Sequence, residues 1–210
     1  ALMMSNDDPE GHICVFGCPI VISQDGNNAP VTAVIKEFQT RWDDINLPLV
    51  HLRHTPTDVS RLRGFAKSYT ALAQHYGWAL RKVFGEPMAL SSISSFPAPQ
   101  RLIIMEEDIQ VAPDFFSYFE AMAPILDNDR SLFAVSAFND NGQHKPKADV
   151  ITPDTTSWSS PAQAHLRVLR SDFFPGLGWM MTRSLWKDEL ESKWPKAYWD
   201  DWLREPAQRM

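Results

Sequence analysis

The chain has 210 residues, a net charge of −6, and 44% apolar against 22% charged side chains. That length can bury one sizeable core, and the composition is that of a folded globular domain rather than a disordered chain. The acidic balance argues against a nucleic-acid-binding surface; no run approaches a membrane span and no signal peptide is recognisable.

Residues 1–11 (ALMMSNDDPEG) read as a linker or disordered start, with one domain over 12–210. Cys14 and Cys18, with only His12 nearby, read as two small apolar side chains rather than a zinc site or a disulfide framework. Pro19–Ser23 is an apolar run ending in Gln24-Asp25-Gly26, which predicts a buried strand and a turn. Behind Pro30, the residues Val31, Val34, Ile35, Phe38 and Trp42 recur at helical spacing. Leu49–Arg53 gives a second strand. Phe65, Tyr69, Leu72, Tyr76, Leu80 and Val83 or Phe84 then mark a long amphipathic helix, stopped by Gly85 and Pro87.

Residues 88–100 are rich in Ser and Pro and read as a loop insertion. A third strand over 102–105 runs directly into Glu106, Glu107 and Asp108. Pro113 suits the first turn of a helix carrying Phe115, Phe116, Phe119, Met122 and Ile125. Phe133–Ala137 is a fourth strand, and 142–165 reads as a surface loop. Strands alternating with helices predict an α/β domain with a largely parallel sheet. Ligands of such sheets bind outside the carboxyl ends of the strands, so Asp25 and the acid triplet are expected at one crevice.

Three groups of residues could carry chemistry. Adjacent like charges at 106–108 repel, so the triplet costs stability unless a cation or hydrogen-bond donors offset it. A charged strand-to-helix turn, with Asp108 or Asp114 at the helix start, is one explanation. A hard divalent cation arriving with a diphosphate is the other. SDFFPGLGWMM (171–181) sets two glycines among aromatic rings, which suits either an apolar core turn or a wall beside a sugar. KWPKAYWDDWLR (193–204) sets Asp200 and Asp201 between Trp199 and Trp202. Acids at a helix start explain it, and so does a carboxylate made a better proton acceptor by surrounding rings. His75 beside Tyr76 reads as packing or a backbone hydrogen bond, and SAFNDNG (136–142) as turn chemistry.

Six segments in order resemble one family: PIVISQDG (19–26), QHYGWAL (74–80), MEEDIQVAPDFFSYF (105–119), SAFNDNG (136–142), LRSDFFPGLGWMM (169–181) and WPKAYWDDWLREPAQR (194–209). The chain resembles the N-acetylglucosaminyltransferase I family, glycosyltransferase family 13. The resemblance implies a GT-A fold, Rossmann-like, with a mostly parallel sheet flanked by helices. It also implies an inverting, Mn2+-dependent transfer of GlcNAc from UDP-GlcNAc, in beta-1,2 linkage, to the alpha-1,3-linked mannose of an N-glycan on a glycoprotein. By the same resemblance Asp108 holds the Mn2+, Glu107 contacts the nucleotide sugar and Glu106 faces the donor sugar. Asp25 and His75 bind the uridine end, Leu177 and Trp199 lie against the GlcNAc, and Asp200 is the catalytic base. The implied setting is the lumenal side of the Golgi membrane, on a type II anchor outside this sequence.

The departures from the family pattern are specific. Glu107 stands where the family has Asp, and Gly26 and Ala134 stand at family cysteines, so the usual disulfides are not expected. The family's first strand has no counterpart before Pro19, and its closing loop and C-terminal domain lie beyond the last residue, so the expectation is a partial catalytic domain, truncated at both ends. Two alternatives stay open at this point. One is the related enzyme acting on protein O-linked mannose, whose acid motif tolerates E-E-D. The other is a non-catalytic carbohydrate-binding domain that kept the fold.

Overall fold

The computed structural model describes residues 2–5, 19–43, 49–85, 88–89, 95–96, 98–138 and 168–208. Cys14, Cys18 and the 142–165 segment lie outside the described residues. The elements in chain order are β1 (Leu2–Ser5), β2 (Ile20–Asp25), α1 (Ala29–Asp43), β3 (Leu49–His54), α2 (Phe65–Gly85), β4 (Met88–Ala89), β5 (Ser95–Phe96), β6 (Arg101–Ile104), α3 (Phe115–Asn128), β7 (Val135–Ser136), β8 (Trp179–Thr182) and α4 (Trp199–Arg204). A π-helical turn, Leu185–Leu190, and a 3-10 turn, Glu191–Lys193, link β8 to α4.

A six-stranded sheet runs β3-β2-β1-β6-β8-β7. Only β2 and β3 pair in parallel; each of the other neighbours is antiparallel. The expected largely parallel sheet therefore holds for direction and not for pairing. β2, β3, β6 and β7 point the same way, but the reversed strands β1 and β8 lie between them. Leu2–Ser5, inside the stretch whose composition reads as a linker, occupies the slot between β2 and β6. Within the Ser- and Pro-rich 88–100 segment, β4 and β5 pair as a small ribbon. β8 is a strand where composition suggested only a turn: the turn covers the glycines and gives way at Trp179.

The strand period of two sorts the core into two layers. Leu102 and Ile104 of β6, with Trp179 and Met181 of β8, face Leu80, Val83 and Phe84 of α2 together with Trp186 and Trp199. Ile103 and Met180 face the other way, onto Phe115, Phe119, Ala123 and Leu126 of α3. Full burial of such side chains contributes roughly 1.5–3 kcal/mol each. β6 is buried along its whole length, and even Arg101 at its start is covered, paired with Asp127 of α3.

Local chemistry explains the element ends. Asn28 caps α1, its Oδ1 accepting the Val31 N–H at 3.1 Å. α3 begins at Phe115, so Pro113 precedes the helix instead of sitting in its first turn. Gly176 and Gly178 have φ of 81° and 54°, the left-handed region that other residues avoid, and swing the chain into β8. Gly77 is needed for space instead: a Cβ there would lie 2.6 Å from Cδ1 of Trp194, whose Nε1 donates to the Ala73 carbonyl of the same helix at 2.9 Å. The apolar pattern of α2 is followed with two exceptions, since Phe65 and Leu72 face solvent.

Candidate active site

The common direction of β2, β3 and β6 brings their carboxyl ends to one edge of the sheet. Asp25 ends β2, His54 ends β3, and Glu106, Glu107 and Asp108 follow β6 after one residue. β8 runs the other way and starts at this same edge, with Trp179 opposite Ile104, so Leu177 and Gly178 arrive there too. α2 supplies His75 and Tyr76, and α4 supplies Trp199 and Asp200.

One group of side chains gathers around the ends of β2 and β3. His54 Nδ1 lies 2.7 Å from Asp25 Oδ1, with the histidine buried and the carboxylate about one-third exposed, at 32%. The His75 ring stacks on His54 with centroids 5.4 Å apart, and its Nε2 lies 2.7 Å from Ser23 Oγ. Trp78 covers His54 at 4.9 Å. Burial holds the His75 pKa below the ordinary value, the Asp25 charge opposes that shift, His54 adds to it, and Glu107 opposes it. His75 is thus linked by hydrogen bond, ring contact and charge, rather than by simple packing.

A second group joins β6 to α4 through α2. The Tyr76 hydroxyl donates to Glu106 Oε1 at 2.9 Å, while its ring stacks on Trp199 with centroids 4.2 Å apart at 23°. Trp199 is buried and also stacks on Trp179 and Trp194. Burial raises the Glu106 pKa; the Tyr76 hydrogen bond opposes that, and the charges of Asp108, Glu107 and Asp200 add to it. Burial also drives the Tyr76 hydroxyl well above its usual pKa, with Glu106, Glu107 and Asp200 adding to the rise. Asp200 and the acid triplet, far apart in sequence, therefore act on the same groups. The charge of the exposed Glu107 acts on both His75 and Glu106.

Asp200, between tryptophans in sequence, is partly covered. Its side chain is 30% exposed and pairs with Arg204 one helical turn later, Nη1 to Oδ2 at 3.3 Å. The same guanidinium nitrogen, Nη1, donates to Asp201 at 2.9 Å, and Arg204 also donates to the carbonyls of Phe174 and Pro175. The Arg partner orients the Asp200 carboxylate. Leu177 is half-buried beside β7, its carbonyl accepting from Ser136 Oγ at 3.4 Å.

Asp108 is exposed at the turn after β6. Among the described residues no three His, Cys, Asp or Glu side chains are grouped to cage a metal. The donor set at the turn is all carboxylate, as hard divalent cations prefer, and it leaves room for phosphate or water oxygens. The residues thus fit a cation shared with a ligand, not one enclosed by protein. His54, Tyr76 and Arg204 contact these candidate residues although the motifs did not single them out. Arg204 stands at i+4 from Asp200, a spacing that a helix over 199–204 makes meaningful.

The profile described as the GNT-I family matches residues 15–210. The chain is also 40% identical over 190 residues to an Arabidopsis thaliana protein named alpha-1,3-mannosyl-glycoprotein 2-beta-N-acetylglucosaminyltransferase. That alignment covers 89% of this chain and 35% of the relative, so the chain spans about a third of the length of the curated relative it matches. The match takes in both clusters and the turn into β8, and the chain belongs to the GNT-I family.

Proposed function

We propose that the intact protein is an inverting N-acetylglucosaminyltransferase of GT-A fold. It would transfer GlcNAc from UDP-GlcNAc to the 2-hydroxyl of an alpha-1,3-linked mannose on an N-glycan. The observation that carries this reading is that Tyr76 hydrogen-bonds Glu106 and stacks on Trp199, the residue before Asp200, at the sheet edge that also holds Asp25 and His75. A metal-assisted sugar transfer needs such an arrangement: acids beside a diphosphate, a ring against the sugar, and a carboxylate across from the leaving group.

In this reading Asp25 and His75 hold the uridine end, Glu107 reaches the nucleotide sugar, Glu106 binds donor-sugar hydroxyls, and Trp199 with Leu177 forms the apolar wall. Asp200 accepts the proton of the mannose hydroxyl as its oxygen attacks the anomeric carbon. A new C–O bond forms on the face opposite the breaking bond to phosphate, and UDP leaves with the bonding pair. Asp108 would hold the Mn2+, which when bound offsets the negative charge of the diphosphate. A lumenal Golgi setting, on an anchor outside this sequence, is part of the same proposal; no helix among the described residues is long and apolar enough to cross a membrane.

The test is UDP release by the intact protein with UDP-GlcNAc, Mn2+ and either of two acceptors, an N-glycan with an exposed alpha-1,3-mannose or an O-mannosyl peptide. Transfer to the N-glycan is expected. Preference for the O-mannosyl peptide replaces the acceptor assignment, and absence of UDP-GlcNAc binding rejects the enzyme reading in favour of a scaffold.

A further inference from the structure

Tyr76 lies in the interior of α2 and touches both halves of the second cluster. A core-filling ring in that position needs no hydroxyl, and Phe would serve. The hydroxyl instead donates to the one acid of the triplet that is half-buried and that also feels the charges of Asp108, Glu107 and Asp200. The bond supplies a donor where the surroundings are otherwise acidic. On the other side, the contact of the Tyr76 ring with Trp199 is the shortest ring pair among the described residues.

Two helical turns earlier on the same face of α2, Tyr69 repeats the pattern. Its ring stacks on Tyr198 with centroids 4.6 Å apart at 23°. Tyr198 has φ of 53°, a left-handed conformation that a non-glycine side chain adopts when its surroundings hold it there. Two tyrosines of one helix thus grip two consecutive residues, Tyr198 and Trp199, immediately before Asp200. We propose that Tyr76 is a positioning residue that couples the donor side of the site to the base side, its hydroxyl fixing Glu106 and its ring, with Tyr69, fixing the start of α4. This rests on the transferase reading above.

The hydroxyl and the ring make separate demands, and kinetics separates them. Tyr76→Phe keeps the stack and removes the donor to Glu106, so the KM for UDP-GlcNAc is expected to rise ~3–30-fold with kcat within about threefold. Tyr76→Leu removes both and is expected to lower kcat a further ~100-fold, the scale of a displaced catalytic group. Tyr69→Leu, at a partly exposed position, loosens Tyr198 without touching Glu106 and is expected to lower kcat with the donor KM unchanged. A wild-type donor KM in Tyr76→Phe overturns the role of the hydroxyl. Equal kcat in Tyr76→Leu and Tyr76→Phe, or wild-type kcat in Tyr69→Leu should Tyr76→Leu not fold, overturns the grip on α4. If the wild type neither binds nor turns over UDP-GlcNAc, the transferase reading has failed. The bridge is then decided by urea unfolding of Tyr76→Phe, Glu106→Gln and the double variant, where non-additive midpoints are expected and additive ones overturn it.

Discussion

The two clusters at the sheet edge are built on opposite plans. Around Asp25 the polar groups satisfy one another: His54 holds Asp25, Ser23 holds His75, and the rings of His54, His75 and Trp78 close over them. Around Glu106 charge is left in excess, with Glu107, Asp108 and Asp200 acting on a half-buried carboxyl whose hydrogen bond comes from Tyr76. The first plan suits a surface prepared before any ligand arrives. The second suits a surface completed by one, because a bound cation would offset the repulsion that the folded chain carries alone. In the proposed reaction, the first cluster should govern affinity for the nucleotide and the second should govern metal dependence and turnover.

That contrast can be broken at several points, beginning with the largest effect. Asp108→Ala removes an exposed carboxylate of the charged cluster. UDP-GlcNAc affinity measured by titration calorimetry with Mn2+ should fall ~10–100-fold, while the Mn2+-free signal should hardly change. His54→Ala attacks the self-satisfied cluster by stripping Asp25 of its partner. UDP affinity should drop about tenfold with kcat at saturating donor within about twofold; a large kcat loss with normal affinity would mean the clusters do not divide the work.

Gly77→Ala tests the scaffold common to both clusters. The clash with Trp194 should outweigh the better helix propensity of Ala and cost about 1–3 kcal/mol in urea unfolding. An unchanged or raised midpoint would show that Trp194 can move aside.

The smallest effect is a dependence on pH. The folded state depresses the His75 pKa, so it resists a proton that the unfolded chain accepts near 6.5. Stability from this group is complete above 6.5 and is lost as pH falls through the lower folded value. His75→Gln should flatten the stability profile in that window. A profile as steep as that of the wild type would assign the acid sensitivity to another group.

Much of this architecture is legible in the chain itself, for reasons that differ by element. The acid triplet follows a run that is buried at every position, and the strand-end rule is enough to put Asp25 and Glu106 at one edge. α2 announces itself by period, although Phe65 and Leu72 show that an apolar stripe can be wider than the face that is buried. β8 is not legible, because Gly-Leu-Gly before a run of large apolar residues reads equally as a turn or a strand until a partner exists; β6 supplies it, pairing Trp179 with Ile104. Strand order is likewise hidden, since the reversed insertion of Leu2–Ser5 depends on a slot that only the tertiary fold defines. Among the residues the structure brings to this edge, Asp25, His75, Glu106, Trp199 and Asp200 are also named by the motifs, while Tyr76, His54 and Arg204 meet partners distant in sequence or one turn away. The aromatic run at 194–202 suggested a carboxylate partly desolvated among rings. The rings pack on one another, and Asp200 is partly covered, 30% exposed against Arg204.

The central claim is that Asp200 takes the acceptor proton while the rest of the edge holds the donor. Its most direct test is turnover and donor binding of Asp200→Asn in the intact protein, with UDP-GlcNAc, Mn2+ and a mannose-terminated N-glycan. The substitution keeps size and removes the base. The account predicts a fall in kcat of ~100-fold or more, with UDP-GlcNAc affinity within about threefold of wild type. Turnover at the wild-type rate would contradict it.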